Sequence, residues 1–198
     1  MSNIVGIVNY GIAGNIHSIQ KALKTAGATT VVINTPEQFN EVDKIVLPGV
    51  GSFNDAMQEL ENDGFIDPIK NTRKPILGIC LGMQILSTLG YEYGKTEGLN
   101  LINAEVKLML VEAKVPHVGF SHITVVNSNE LLKGIEHEEF YFMHSYEVVN
   151  YTDISALANY ANHQFVCAIK KGNIYGVQFH PEKSRQAGIE LFKNFVNL

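Results

Sequence analysis

Two hydrophobic rhythms alternate through the first half of the chain. Short β-branched runs at residues 3–9 (NIVGIVN), 29–33 (TTVVI), 44–47 (KIVL) and 75–79 (PILGI) read as buried strands. Between them, Ile16, Ile19, Leu23 and Ala26 recur at helical spacing and Gly27 closes that stretch. Residues 53–60 repeat the helical pattern, and residues 83–89 predict a further helix directly after the fourth strand. Strand, turn and helix repeated in this order predict a parallel sheet with helices on its faces.

Beyond residue 100 the helices drop out. Alternating stretches at 104–110, 120–126, 140–149, 155–159, 165–170 and 174–179 predict hairpins and antiparallel edge strands. The chain closes on residues 184–196, where Ile189, Phe192 and Val196 make an apolar helical stripe. No linker, repeat or low-complexity tract interrupts the pattern, so residues 1–198 read as one α/β domain with a β-rich second half.

Composition narrows the class. Hydrophobic residues make up 45% and charged residues 18% of 198, with a mean hydropathy of +0.03, which is globular and excludes intrinsic disorder. The net charge of −5 leaves no cationic excess to neutralise phosphates, so nucleic acid is not expected as a partner. The longest apolar runs fall far short of the roughly 20 residues of a membrane helix, and no basic region precedes an apolar stretch at the N-terminus. Two cysteines give no disulfide framework. A cytoplasmic protein with no membrane association is the expectation.

Candidate chemistry gathers at strand ends. Cys80 sits in Gly78-Ile79-Cys80-Leu81-Gly82 between a predicted strand and a predicted helix, the G-x-nucleophile-x-G pattern of a nucleophile elbow. Glycines there permit a tight strand-to-helix turn, and the N–H of Leu81 would face a developing oxyanion. The alternative is a small buried hydrophobe. His180-Pro181-Glu182 follows the last strand and so lies at the same sheet edge, where a histidine can take a thiol proton and a carboxylate can orient it. Its alternative is an ordinary surface turn. Pro48-Gly49-Val50-Gly51 ends the third strand; with Asn54 in place of a third glycine it is no dinucleotide fingerprint, and it lacks the Gly-Lys-Ser/Thr of a Walker loop. It remains either a plain turn or half of an oxyanion hole. Cys167, among apolar neighbours, reads as core. His117 and His122, five apart in an extended segment, point to opposite faces, and no CxxC or HExxH pattern exists, so neither a metal nor another cofactor is expected.

Taken together, three motifs in order resemble the class I, triad-type glutamine amidotransferases: residues 47–51 (LPGVG), 78–84 (GICLGMQ) and 176–184 (GVQFHPEKS). Finer features, at residues 9–11 (NYG), Phe53, Met57, 115–119 (VPHVG) and 141–146 (YFMHSY), are similar to the branch of glutaminase subunits found in imidazole glycerol phosphate synthases. The resemblance covers essentially the whole chain. It implies a three-layer, flavodoxin-like fold: a mostly parallel central sheet, helices on both faces, and antiparallel β additions in the second half. It makes Cys80 the nucleophile, His180 the acid–base group and Glu182 its orienter. Val50, Gly51 and Leu81 match the oxyanion hole. Gly49, Gln84, Glu92, Ser145 and Tyr146 match positions around the substrate L-glutamine, with Glu92 at its α-ammonium and Ser145–Tyr146 at its α-carboxylate. It also implies a cyclase (synthase) subunit as heterodimer partner, which receives the ammonia for histidine biosynthesis.

Two departures stand out. The family commonly reads Pro-His-x-Gly-Trp-Asn where this chain has Phe120 and Ser121, on the partner-facing side. The turn at residues 10–15 is one residue longer than the usual form. These departures keep open a paralogous glutaminase that serves a sugar-modifying amidotransferase for surface polysaccharide or flagellar glycans. A stand-alone cysteine hydrolase is the alternative from another class, and the intact Cys80, His180 and Glu182 argue against a catalytically dead regulatory subunit.

Overall fold

The computed structural model describes residues 3–11 and 15–198. Of the lengthened N-terminal turn, Ile12, Ala13 and Gly14 lie outside the described residues. The strands are β1 (Ile4–Val8), β2 (Thr29–Ile33), β3 (Lys44–Leu47), β4 (Ile76–Ile79), β5 (Leu89–Gly90), β6 (Thr96–Glu97), β7 (Glu105–Leu108), β8 (His117–Val125), β9 (Glu139–His144), β10 (Tyr146–Val149), β11 (Ile154–Tyr160), β12 (His163–Lys171) and β13 (Ile174–Val177). The helices are α1 (Ile16–Thr25), α2 (Phe53–Asn62), α3 (Ile66–Asn71), the single turn α4 (Leu81–Gln84) and α5 (Arg185–Val196).

Nine strands form one sheet in the order β2-β1-β3-β4-β13-β12-β11-β8-β9. Its first five strands are parallel, in the flavodoxin-like order in which the first strand lies between the second and third. The remaining four continue it as antiparallel hairpins. Period-two alternation explains why both faces carry helices. Val46, Leu77 and Ile79 pack with α1 and α5, through Ile19, Leu23, Leu191 and Phe195. Their neighbours Ile45, Leu47 and Ile76 pack with α2 and α3, through Phe53, Met57, Leu60 and Ile69. Ser52 caps α2, its hydroxyl accepting the Asp55 N–H at 3.2 Å. Among the described residues no helix is long and apolar enough to cross a membrane.

Two elements differ from the pattern reading. The helix expected at 83–89 is one turn that starts earlier, directly after Cys80. Every residue from 80 to 87 is buried, so a longer helix would have no solvent face. The carbonyls of Ile85 and Leu86 are instead taken by the N–H groups of Leu99 and Leu101, and Leu89 turns into a strand. The run 140–149 is two strands in different sheets. It breaks at Ser145, where the chain leaves β9 on the edge of the large sheet and enters β10 in a four-stranded sheet ordered β10-β7-β5-β6.

Candidate active site

Register builds the site. β4 lies between β3 and β13, with Leu47 opposite Gly78 and Val177 opposite Ile79. The residues just past these carboxyl ends, Gly49, Cys80 and Gln178, therefore stand at one level on three adjacent strands. The elbow at Cys80 has φ 54° and ψ −110°, a left-handed backbone costly for any residue with a Cβ. Cys80 itself carries this strain. The flanking glycines serve close approach: a Cβ on Gly82 would collide with the Leu47 carbonyl, and one on Gly78 would meet Gly82 O at 2.5 Å. The Cys80 N–H donates to Val177 O at 2.7 Å, locking the elbow to β13.

His180 and Glu182 are joined by a 2.8 Å contact from Nδ1 to Oε1, with both side chains fully buried. Asn15 Nδ2 donates to the same Oε1 at 2.9 Å. Burial opposes the charge on each, but the pairing wins for both. The Cys80 and Glu182 charges hold His180 above its usual value, and the His180 and Asn15 contacts hold Glu182 below the usual carboxylate range. The turn is held from two sides. Ser184 Oγ donates to His180 O at 2.6 Å and accepts the Tyr141 N–H at 2.9 Å, and Gly188 of α5 packs so closely on Pro181 O that a Cβ would run into it.

Cys80 and His180 line a cavity of about 440 Å³ whose other walls include Val50, Gly51, Leu81, Gln84, Glu92, Ser145 and Tyr146. Gly49 stands behind that wall, packed against Leu81, Gly82 and the Tyr10 hydroxyl. Glu92, in the loop between β5 and β6, accepts the Phe53 N–H at 2.8 Å; burial raises its carboxyl while that N–H opposes the shift. Gln84 Nε2 donates to Tyr146 O and to Gln178 Oε1, both at 3.0 Å. Phe120 and Ser121 lie on β8, away from this cavity. Phe120 is 36% exposed with the Arg185 guanidinium 4.4 Å from its ring centroid, and the Ser121 hydroxyl turns inward to His117 Nε2 at 3.1 Å. Cys167 is fully buried, and burial pushes its thiol up.

Several residues of segments singled out in the sequence join the site in roles the sequence did not assign. Tyr10 is fully buried and its hydroxyl donates to Pro48 O, beside the turn that carries Val50 and Gly51; burial and then the Cys80 charge raise its hydroxyl well above the ordinary value. His144 Nδ1 lies 2.9 Å from Tyr146 O, and burial pushes the imidazole down to about 4, so it is neutral and donates there. Asn15 and Gln178 belonged to segments already noted; only their long-range partners reveal their place. Among the described residues no cluster of three or more His, Cys, Asp or Glu could hold a metal.

Such an arrangement can activate a thiol beside a buried imidazole and hold an amide-sized substrate over it. Comparison with known proteins agrees with this chemistry. A family model described as "Glutamine amidotransferase class-I" matches residues 7–198. The imidazole glycerol phosphate synthase subunit HisH 1 of Campylobacter jejuni (strain RM1221) is 40% identical over 203 residues, covering 98% of this chain and 100% of its own length. Subunit HisH of Moorella thermoacetica is 38% identical over 200 residues, with 98% and 94% covered. The solved structure of PurLQS from Thermotoga maritima superposes with a TM-score of 0.79 at 16% identity, over 100% of this chain and 99% of that one, and so shares the fold.

Proposed function

Because the chain belongs to the class-I glutamine amidotransferase family, we propose that it is the glutaminase subunit of an imidazole glycerol phosphate synthase. It hydrolyses glutamine to glutamate and ammonia and passes the ammonia to a cyclase subunit in histidine biosynthesis. The observation that carries the reading is the buried His180–Glu182 pair beside Cys80 on its strained elbow, with Cys80 and His180 lining one cavity. The family's curated relatives of 38% to 40% identity over nearly the full chain support the same acceptor.

The chemistry follows from the positions. Glu182 takes the Nδ1 proton as a hydrogen bond, which leaves Nε2 of His180 to accept the thiol proton. The Cys80 thiolate attacks the side-chain carboxamide carbon, and N–H groups of Leu81 and the Val50–Gly51 turn receive the oxyanion. His180 then protonates the leaving nitrogen, ammonia departs, and a γ-glutamyl thioester remains. Water deprotonated by His180 attacks the thioester, the sulfur leaves as thiolate, and glutamate is released. Glu92 and the Ser145–Tyr146 segment hold the α-ammonium and α-carboxylate at the cavity rim.

Ammonia freed into water is protonated and lost as a nucleophile, so hydrolysis is useful only when an acceptor is docked. One oxyanion donor in such a site contributes about 3 kcal/mol, and a small rotation of the Val50–Gly51 turn is enough to withhold it. We therefore expect slow glutamine turnover by the isolated chain, rising at least about tenfold (~1.4 kcal/mol) when the cyclase subunit and its phosphorylated ribonucleotide substrate are bound. Stimulation is checked by glutamate release with and without the partner. A strain lacking its histidine-pathway glutaminase regains growth without histidine when given this chain and its own cyclase. Failure of that rescue, with stimulation by a sugar-modifying synthase instead, moves the acceptor to the paralogous pathway, which Phe120 and Ser121 on the partner-facing segment favour.

A further inference from the structure

Gln178 is fully buried, and the catalytic steps above make no use of it. Its backbone is fixed on the Cys167 side, the N–H donating to Cys167 O at 2.9 Å, and its side chain lies level with Cys80 across the β4–β13 pair. The amide nitrogen sits 3.5 Å from Cys80 Sγ. The amide oxygen accepts from Gln84 Nε2 at 3.0 Å, and the same Gln84 nitrogen donates to Tyr146 O at 3.0 Å.

The polarity of this chain follows from its far end. A backbone carbonyl only accepts, so Gln84 must present its NH₂ to Tyr146, and that NH₂ spends its second proton on Gln178. Gln178 is thereby compelled to offer oxygen to Gln84 and N–H to the sulfur. His144 Nδ1, 2.9 Å from the same Tyr146 carbonyl, fills that oxygen's second acceptor site and holds the anchor in place.

We propose that Gln178 is a hydrogen-bond donor to the reacting sulfur, oriented through Gln84 by the Tyr146 carbonyl, so that one relay joins the nucleophile to the wall that holds the substrate's carboxylate. The inference rests on the reading of Cys80 as nucleophile. An N–H aimed at sulfur favours its anionic form over the thiol and over the neutral thioester, so the relay supports formation of the thiolate and its departure when the thioester is cleaved. Its other end fixes Tyr146, so glutamine binding and thiolate formation share one set of contacts.

The test uses the full-length chain, iodoacetamide as probe of Cys80, and Cys80→Ala to subtract any labelling of Cys167. Gln178→Glu keeps an acceptor for Gln84 but turns a carboxylate toward the sulfur. Alkylation at neutral pH falls at least about tenfold and recovers at alkaline pH, while KM for glutamine stays within about threefold of wild type. Gln178→Met, neutral and of similar length, covers the case in which the buried carboxylate prevents folding. It removes both links, so alkylation slows and KM rises together. If whichever variant folds alkylates with the wild-type rate and pH profile, the relay is wrong, even where thermal stability has dropped. Failure of the underlying reading looks different: Cys80→Ala would then retain glutamine turnover.

Discussion

Cys80→Ala is expected to abolish glutamine hydrolysis, by at least about 10³-fold or ~4 kcal/mol in barrier, while the chain remains folded. In the proposed mechanism the sulfur forms the covalent intermediate and His180 acts as its base, and no neighbouring side chain can replace it, because Cys167 is fully buried on a core strand. The structural cost is small because alanine keeps the Cβ and the backbone of the elbow. It removes the sulfur contacts to Gln178 Nε2 at 3.5 Å and Met143 O at 3.9 Å and the sulfur's interaction with His180. Cys167→Ala, by contrast, leaves activity nearly unchanged. Steady-state glutamate release with circular dichroism as a folding control checks both, and turnover by Cys80→Ala within tenfold of wild type would overturn the assignment.

His180→Asn is expected to suppress thioester formation by a comparable factor, and Glu182→Gln by a smaller one of about 10²-fold or more. The two act on one bond. Asparagine at 180 removes the acceptor for the thiol proton and the donor for the leaving nitrogen at once. Glutamine at 182 keeps the shape but removes the charge that fixes the imidazole with its proton on Nδ1 and supports the imidazolium. Asn15 would still donate to the amide oxygen at that position, so the turn stays in place and the loss is electrostatic. An active-site-directed glutamine analogue reads this directly, labelling Cys80 quickly in the wild type and far more slowly in His180→Asn. Equal labelling rates would mean that His180 does not activate the thiol.

How far these positions could be read from the chain depends on the range of the contacts. The parallel half was legible because 44–47 and 75–79 are short apolar runs stopped by Pro48-Gly49 and by the glycine-flanked Cys80. The elbow and the His180 turn were legible as local motifs at strand ends. The single turn of α4 was not, since a run that is apolar on every side fits a helix and a buried turn equally well. Nor was the break at Ser145, because alternation continues across it while the pairing partner changes from β8 to β7. Gln178 and Asn15 escaped for a third reason. Their partners Cys80 and Glu182 are 98 and 167 residues away, and only the pairing of β4 with β13 and the packing of α1 on α5 bring them together.

The change of sheet at Ser145 also divides the cavity between two mechanical units. Cys80 and His180 follow strands of the nine-stranded sheet, whereas Leu108 and Tyr146 lie on the four-stranded one and Glu92 and Tyr93 in its β5–β6 loop; two strands of that sheet have only two residues each. Its two short strands, β5 and β6, hold few ladder hydrogen bonds, so this sheet is expected to open at a lower free energy than the central strands, although Val106 and Val148 of its other strands pack into the core. Amides of Tyr146–Val149 are therefore expected to exchange with deuterium sooner than those of Ile76–Ile79 and Ile174–Val177, and to slow when a glutamine analogue is bound covalently at Cys80. Loosening of that wall would give product glutamate a way out, and because Tyr146 O anchors the Gln84–Gln178 chain, the donor to the Cys80 sulfur would loosen with it.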